Sequence, residues 1–362
     1  MLIMNSSNAE LLENAVKWLS EIIHIPSFSK EEDLTAQWFF DCLENQGAKP
    51  SRSGNNVWAI SAVWDSNKPT LLLNSHHDTV KPVSGWTYSP FDATCVDDKI
   101  FGLGSNDAGA SLVCLLCTFL QLRTSEHLAV NLVFAATAEE EISGSGGIAS
   151  ILPLLPPIDM AIVGEPTTMQ LAVAEKGLMV VDAVSKGISG HAARNEGVNA
   201  IYEAMKDIEG IRSFAFPKLS DFLGPVKMSV TQINAGTQHN VVPDQCSFVI
   251  DVRTNELYTN EEVFEILKQL VKADLKARSF RLKSSGISLD HPLVLSGLHL
   301  NLIPFGSPTL SDQALMPFPS LKLGVGDSAR SHTADEFIKI KEIENGLSLY
   351  HAIITGIHIP KN

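Results

Sequence analysis

The apolar run Val130-Asn-Leu-Val-Phe-Ala-Ala-Thr137 leads, after one alanine, into three consecutive carboxylates, Glu139, Glu140 and Glu141. A buried strand that ends in three like charges must have their repulsion cancelled, and one or two divalent cations do this most simply. Further metal-ligand residue types stand elsewhere in the chain: His76 and Asp78 follow the run Thr70–Asn74, Glu165 follows Met160–Val163, and Asp107 and His332 lie in loop-like segments. In sheets whose strands alternate with helices, ligands gather beyond the carboxyl ends of the strands, which is where His76, Glu140, Glu141 and Glu165 fall.

The remaining pattern predicts an α/β architecture. Residues 9–23 carry Leu11, Leu12, Ala15, Val16, Leu19 and Ile22 at helical spacing, and the runs at 56–62, 70–74, 130–137 and 160–163 read as strands of a mostly parallel mixed sheet flanked by helices. Between about 174 and 282 the pattern becomes self-contained. Strands are expected at 176–185, 227–233, 246–252 and 279–283. One helix is expected at 195–210, with Val198, Ile201, Tyr202, Met205 and Ile208 on one face, and a second opens at the capping box Thr259-Asn-Glu-Glu262. That order, β-α-β-β-α-β, is the ferredoxin-like split unit. It reads as an insertion, so residues 1–173 and 283–362 are expected to form one discontinuous metal-binding domain and 174–282 a lid.

A chain of 362 residues with 44% hydrophobic content exceeds the size at which a single core stops growing, in agreement with two domains. Its formal charge of −14 and the absence of a basic run among 27 Lys and Arg exclude nucleic acid as an expected partner. No segment approaches the roughly 20 apolar residues a membrane span needs. The first seven residues lack the pattern of an export signal, so a cytoplasmic protein without membrane association is expected. Five cysteines, an odd number, argue against a disulfide framework. Cys114 and Cys117 form a C-x-x-C inside the apolar run 112–120 with no second pair to complete a zinc site, and read as core residues.

Zinc takes imidazole nitrogen and carboxylate oxygen, and a catalytic site keeps one position open. His76 supplies one ligand, with Asp78 behind it to orient the ring. Asp107, after the glycine-rich Gly102-Leu-Gly-Ser-Asn106, is placed to reach between two ions, Glu141 and Glu165 each complete one of them, and His332 closes the second. The expected cofactor is therefore a pair of divalent ions, zinc first and cobalt as the alternative, since His and carboxylate ligands suit several metals.

The ordered series Ser75-His-His-Asp-Thr-Val80, Gly102-Leu-Gly-Ser-Asn-Asp107, Thr137-Ala-Glu-Glu-Glu141, Val163-Gly-Glu-Pro-Thr167, Ser189-Gly-His-Ala-Ala-Arg194, Asn240-Val-Val-Pro243, Asp251-Val-Arg253 and Ser331-His-Thr-Ala-Asp-Glu336 resembles the dinuclear zinc amidohydrolases that include acetylornithine deacetylase, succinyl-diaminopimelate desuccinylase and aminoacylase. The resemblance runs in order from residue 75 to 336. It implies a catalytic zinc domain with an inserted lid through which the chain forms a homodimer. It also implies Glu140 as the general base, His76, Asp107, Glu141, Glu165 and His332 as the ligands with Asp107 bridging, and His191 as a donor that reaches a partner's site, with Asn240 assisting. Two departures stand out: relatives commonly have Met-Lys-Gly where this chain has Ala108-Gly109-Ala110, and Gly-Arg-Gly where it has Gly102-Leu-Gly104. Two cations near the site are thereby absent.

The expected substrate is a small N-acyl amino acid: N-acetylornithine first, or N-acetylcitrulline or an N-succinyl analogue, as in arginine biosynthesis. Succinyl-diaminopimelate and dipeptides are the alternatives. Arg253 is the candidate for the substrate carboxylate, because a guanidinium offers it two parallel hydrogen bonds; the competing reading is an ion pair with Asp251 or Glu256. A non-catalytic scaffold predicts missing ligands, and none is missing. A two-metal phosphoesterase needs cations that the 108–110 segment lacks.

Overall fold

The computed structural model describes residues 7–360; of the N-terminal segment read above for an export signal, residues 1–6 lie outside them. In chain order the principal strands are β1 (Pro50–Ser53), β2 (Asn56–Ile60), β3 (Thr70–His76), β4 (Asn131–Thr137), β5 (Met160–Val163), β6 (Leu171–Glu175), β7 (Met179–Lys186), β8 (Lys227–Ala235), β9 (Gln245–Arg253), β10 (Asp274–Ala277) and β11 (Ser320–Lys322). The helices are α1 (Asn8–Ile23), α2 (Asp33–Asn45), α3 (Ala110–Leu122), α4 (Ala200–Ser213), α5 (Asn260–Leu270), α6 (Pro292–His299) and α7 (Ile340–Thr355). The chain divides into two compact units. One holds the residues up to Val173 with Ile287–Phe305 and those from Ser311 onward, the other Ala174–Gly286 with Gly306–Leu310.

The first unit is built on a mixed sheet in the order β1-β2-β4-β3-β5-β11-β6. β4, β3, β5 and β11 run parallel, while β1, β2 and β6 are antiparallel to their neighbours. Leu71, Leu73, Leu132, Phe134, Ala136 and Ile162 pack on Leu19 of α1, Phe39 and Leu43 of α2, Phe119 of α3 and Tyr350 of α7. The alternate residues Leu72, Val133, Ala135 and Ala161 pack on Trp58, Ile148, Ile151 and Leu155 from the other side. Because both faces are covered, β3 and β4 are buried along their whole length and read as continuous apolar runs rather than alternating ones. Each fully buried Leu contributes about 2 kcal/mol relative to exposure. A helix formed by α3 is buried all round except at Gln121, and Cys114 and Cys117 are core residues within it.

The second unit has the expected β-α-β-β-α-β order, folded as an antiparallel sheet β8-β9-β7-β10 with α4 and α5 packed against it. In β7, Met179, Val181 and Ala183 point into that core while Val180, Asp182 and Val184 are half-buried, the period-2 pattern of a sheet covered on one face. Thr259 and Glu262 form the capping box that opens α5. Two details differ from the sequence reading. The last strand is 274–277, where Leu275 and Ala277 pack against the core; residues 280 and 282 instead give their carbonyls to the Asn260 amide. And α4, which starts at Ala200 behind the Asn199 cap, buries Ala200, Ala204 and Ile211, while Tyr202 and Met205 are 63% and 58% exposed. The small alanines bring the helix close to the sheet, which turns the larger apolar residues outward.

Candidate metal centre

Five segments, at the carboxyl ends of β3, β4 and β5, before α3 and before residue 337, bring the predicted ligands of the first unit together. His76 is the last residue of β3 and is 1% exposed. Its Nε2 lies 3.4 Å from Asp107 Oδ1 and 3.6 Å from Glu165 Oε1. On the other side, His332 Nε2 lies 2.9 Å from Glu141 Oε2 and 3.6 Å from Asp107 Oδ2. Two potential ligand clusters result, His76-Asp107-Glu165 and Asp107-Glu141-His332, and they share Asp107 through its two different oxygens. Glu140 Oε2 stands 3.9 Å from His76 Nε2 and belongs to neither cluster.

The first of these donor sets fits a divalent cation on an observation independent of spacing: His76 Nε2 and Glu165 Oε1 are both buried and have no hydrogen-bond partner. A buried, unpaired imidazole nitrogen and carboxylate oxygen aimed at each other cost desolvation energy that a cation between them would repay.

The electrostatics describe a site short of positive charge. Burial, then repulsion from Asp107, pushes the Glu165 acid up to about 8. Burial and Glu165 push Glu140 up as well. The Glu141 carboxylate draws His332 up to about 9, and His76 is raised against the opposing effect of burial by Asp107 and Asp78. A cation held among these groups would offset the repulsion between the carboxylates.

The loops are tied together by hydrogen bonds from the residues around them. The Asp78 backbone carbonyl makes the close contact to His76 Nδ1, at 2.9 Å, and the Asp78 carboxylate stands behind the same nitrogen. That carboxylate, 3.5 Å from the nitrogen, also accepts the backbone N–H groups of Glu140 and Glu141 at 3.0 and 3.2 Å and the Ser29 hydroxyl at 2.6 Å. Glu139 has φ +56° and turns its side chain back onto the N–H of Gly146; a Cβ on Gly144 or Gly146 would collide with that carboxylate. His77 lies beneath, bonded to the Asn55 carbonyl and the Thr35 hydroxyl, and burial pushes it down to about 4, so it stays neutral.

Glu336 was not assigned from sequence, although it closes the Ser331–Glu336 motif. It is 2% exposed and accepts the N–H groups of Gly104, Asn106 and Asp107 at 3.1, 2.8 and 2.9 Å. It thereby fixes the turn that carries Asp107, whose peptide bond to Ala108 is cis. Burial and the neighbouring Asp107 push its acid up to about 8.

His191, Asn240 and Arg253 lie in the second unit. His191 pairs with Val241 in a short ladder, and the Asn240 carbonyl accepts the Ala192 N–H, so His191 and Asn240 are neighbours there. Arg253 makes a two-point ion pair with Asp251, at 2.8 and 3.1 Å, which is the competing reading of that residue.

Residues 173–279 match the family model described as the M20 peptidase dimerisation domain. Across most of its length the chain is similar to an acetylornithine deacetylase of Proteus mirabilis (strain HI4320), 29% identical over 337 residues covering 86% of each chain. It is also similar to a succinyl-diaminopimelate desuccinylase of Ruegeria sp. (strain TM1040), 24% identical over 75% of this chain and 73% of the other. The chain is a homologue of these two enzymes. It is an enzyme of the amidohydrolase/peptidase class. The fold of the chain matches that of the aminopeptidase PepT from Bacillus cereus ATCC 10987, with a TM-score of 0.76 at 19% identity over 98% of this chain and 99% of the other. It likewise matches the Bacillus subtilis YXEP protein, described as a dinuclear metal-binding peptidase of the M20 family, with a TM-score of 0.72 at 17% identity over 96% and 98%. Among the described residues, no helix is long and apolar enough to cross a membrane.

Proposed function

We propose that the protein hydrolyses the amide bond of a small N-acyl amino acid, with N-acetylornithine as the first substrate to try, followed by N-acetylcitrulline and the N-succinyl analogues. The observation that carries this reading is the pair of clusters joined by Asp107, with Glu140 beside them and spent on neither. His76, Asp107 and Glu165 would hold one ion and Asp107, Glu141 and His332 the other, zinc or cobalt by their ligand types. Bound there, the ions would acidify water and polarise the amide carbonyl.

Glu140 does the proton work. Its carboxylate accepts the proton of the attacking water and then hands it to the leaving nitrogen, so that an amine rather than an amide anion departs. Asp78, by gripping the Glu140 and Glu141 N–H groups, keeps base and ligand in a fixed relation. His191 is proposed as the donor to the carbonyl oxygen as it gains negative charge, with Asn240 beside it. Arg253, held in plane by Asp251, and Asn240 are the proposed contacts to the substrate carboxylate. The second unit is proposed as the lid and as the surface of a homodimer. The dimerisation-domain match and the outward Tyr202, Met205 and Ile233 support that assignment.

The test is amine release from metal-loaded protein offered a panel of N-acetyl and N-succinyl amino acids and, because the structural neighbours include an aminopeptidase and a tripeptidase, di- and tripeptides. Turnover of an acyl amino acid well above any peptide is the expected result. Peptide hydrolysis alone would replace the deacylase reading with a peptidase one.

A further inference from the structure

Asp312 belongs to neither cluster and to no step above, yet it is a carboxylate only 4% exposed, placed against the strand ends that carry the site. The Thr137 hydroxyl donates to its Oδ2 at 2.8 Å, and the Asn74 amide nitrogen, in the orientation that satisfies both ends of that amide, donates to the same oxygen at 3.1 Å. Asn74 and Thr137 are themselves fully buried. Asn74 stands two residues before His76 on β3, and Thr137 is the β4 residue paired with His76 and the third before Glu140.

A neutral amide or hydroxyl could meet Asn74 and Thr137 equally well, and burying a carboxylate costs more. Burial pushes the acid up to about 7 against the pull of the Thr137 hydrogen bond. Packing alone therefore does not account for a carboxyl group here.

We propose that Asp312 is a positioning residue of the cation-binding end of the sheet: by tying Asn74 of β3 to Thr137 of β4 it fixes His76 and the Glu139–Glu141 turn relative to each other, and its buried charge favours cations at the site. The inference rests on the two-cation reading above. Groups that orient ligands from behind in this way are worth about 10–100-fold in metal affinity.

The experiment titrates metal-free protein with Zn2+ and Co2+ in competition with a chromophoric chelator, for wild type, Asp312→Asn, Thr137→Val and Thr137→Ser. Asp312→Asn and Thr137→Val should weaken at least one ion about 10–100-fold and alter the visible absorption of the Co2+ form. The unfolding midpoint of metal-free Asp312→Asn should stay near wild type. Thr137→Ser, which keeps the hydroxyl, should bind as wild type does. Wild-type affinity and Co2+ spectrum in Asp312→Asn overturn the inference, as does a Thr137→Ser loss equal to that of Thr137→Val, or a loss in Asp312→Asn that merely follows a lowered unfolding midpoint. A wild-type protein that binds no divalent ion overturns the two-cation reading and this inference together, whereas two ions bound equally by wild type and Asp312→Asn overturn this inference alone.

Discussion

Asp107 divides its carboxylate between two imidazoles, Oδ1 lying 3.4 Å from His76 Nε2 and Oδ2 3.6 Å from His332 Nε2. Asp107→Ala therefore removes a ligand from both clusters, while His332→Ala removes one from a single cluster. After desalting and elemental analysis, Asp107→Ala should retain fewer than one ion per chain and His332→Ala about one, the His76-Asp107-Glu165 cluster being left whole. Equal retention by the two variants would refute a shared ligand.

Glu140→Gln keeps the size of the side chain and removes its basicity. Turnover should drop by about 10²–10⁴ with metal content unchanged. Simultaneous loss of an ion would mean that residue 140 is a ligand and that base and ligand are exchanged within the turn.

Glu336→Ala strips the acceptor from three backbone N–H groups, two of them buried and one partly so. Since each unsatisfied buried donor costs about 1–3 kcal/mol, urea unfolding of the metal-free variant should show a loss of at least about 2 kcal/mol. A loss near zero would show that water replaces the carboxylate and that the turn holds by itself.

Metal-free protein should become less stable as pH rises from about 5 to about 9. Glu165 and Glu336 are raised to about 8 and Asp312 to about 7, each from an ordinary value near 4. Between those limits the folded state binds more protons than the unfolded one, so the free energy of unfolding falls with pH. His332, raised to about 9, acts in the same sense: its stabilising charge is complete below 6.5 and gone above 9. Melting curves at successive pH values should show this slope, and saturating Zn2+ should abolish most of it. A metal-free midpoint that climbs with pH would contradict the placement of these carboxyls.

Cys95 is the one exposed cysteine. A thiol reagent should modify about one group per folded chain and five after denaturation, because burial pushes the Cys42, Cys114 and Cys117 thiols up and away from the reactive thiolate.

What the sequence made legible was what burial writes into composition. β3, β4 and β5 are covered on both faces, so they appear as unbroken apolar runs, and their ends point to His76, Glu141 and Glu165. The polar edge strand β1, Pro-Ser-Arg-Ser, carries no such mark. The inward face of α4 escaped because alanines make its closest contacts, and the larger Tyr202 and Met205 drew attention to the wrong side. Glu336 and Asp312 were invisible for a different reason: each acts on groups more than 170 residues away in the chain, three backbone N–H groups in one case and a hydroxyl and an amide in the other. Glu336 at least had the signal of an acid within the Ser331–Glu336 motif.

The turn after β4 sets three identical side chains to three separate tasks. Glu139 folds back on Gly146, Glu140 stands beside His76, and Glu141 meets His332, while Asp78 grips the last two by their N–H groups. Identity here belongs to place in the loop, not to residue type. Deleting any one of the three would leave a sequence that still reads Glu-Glu and a protein with one job vacant, so length at this point is under a stricter constraint than composition.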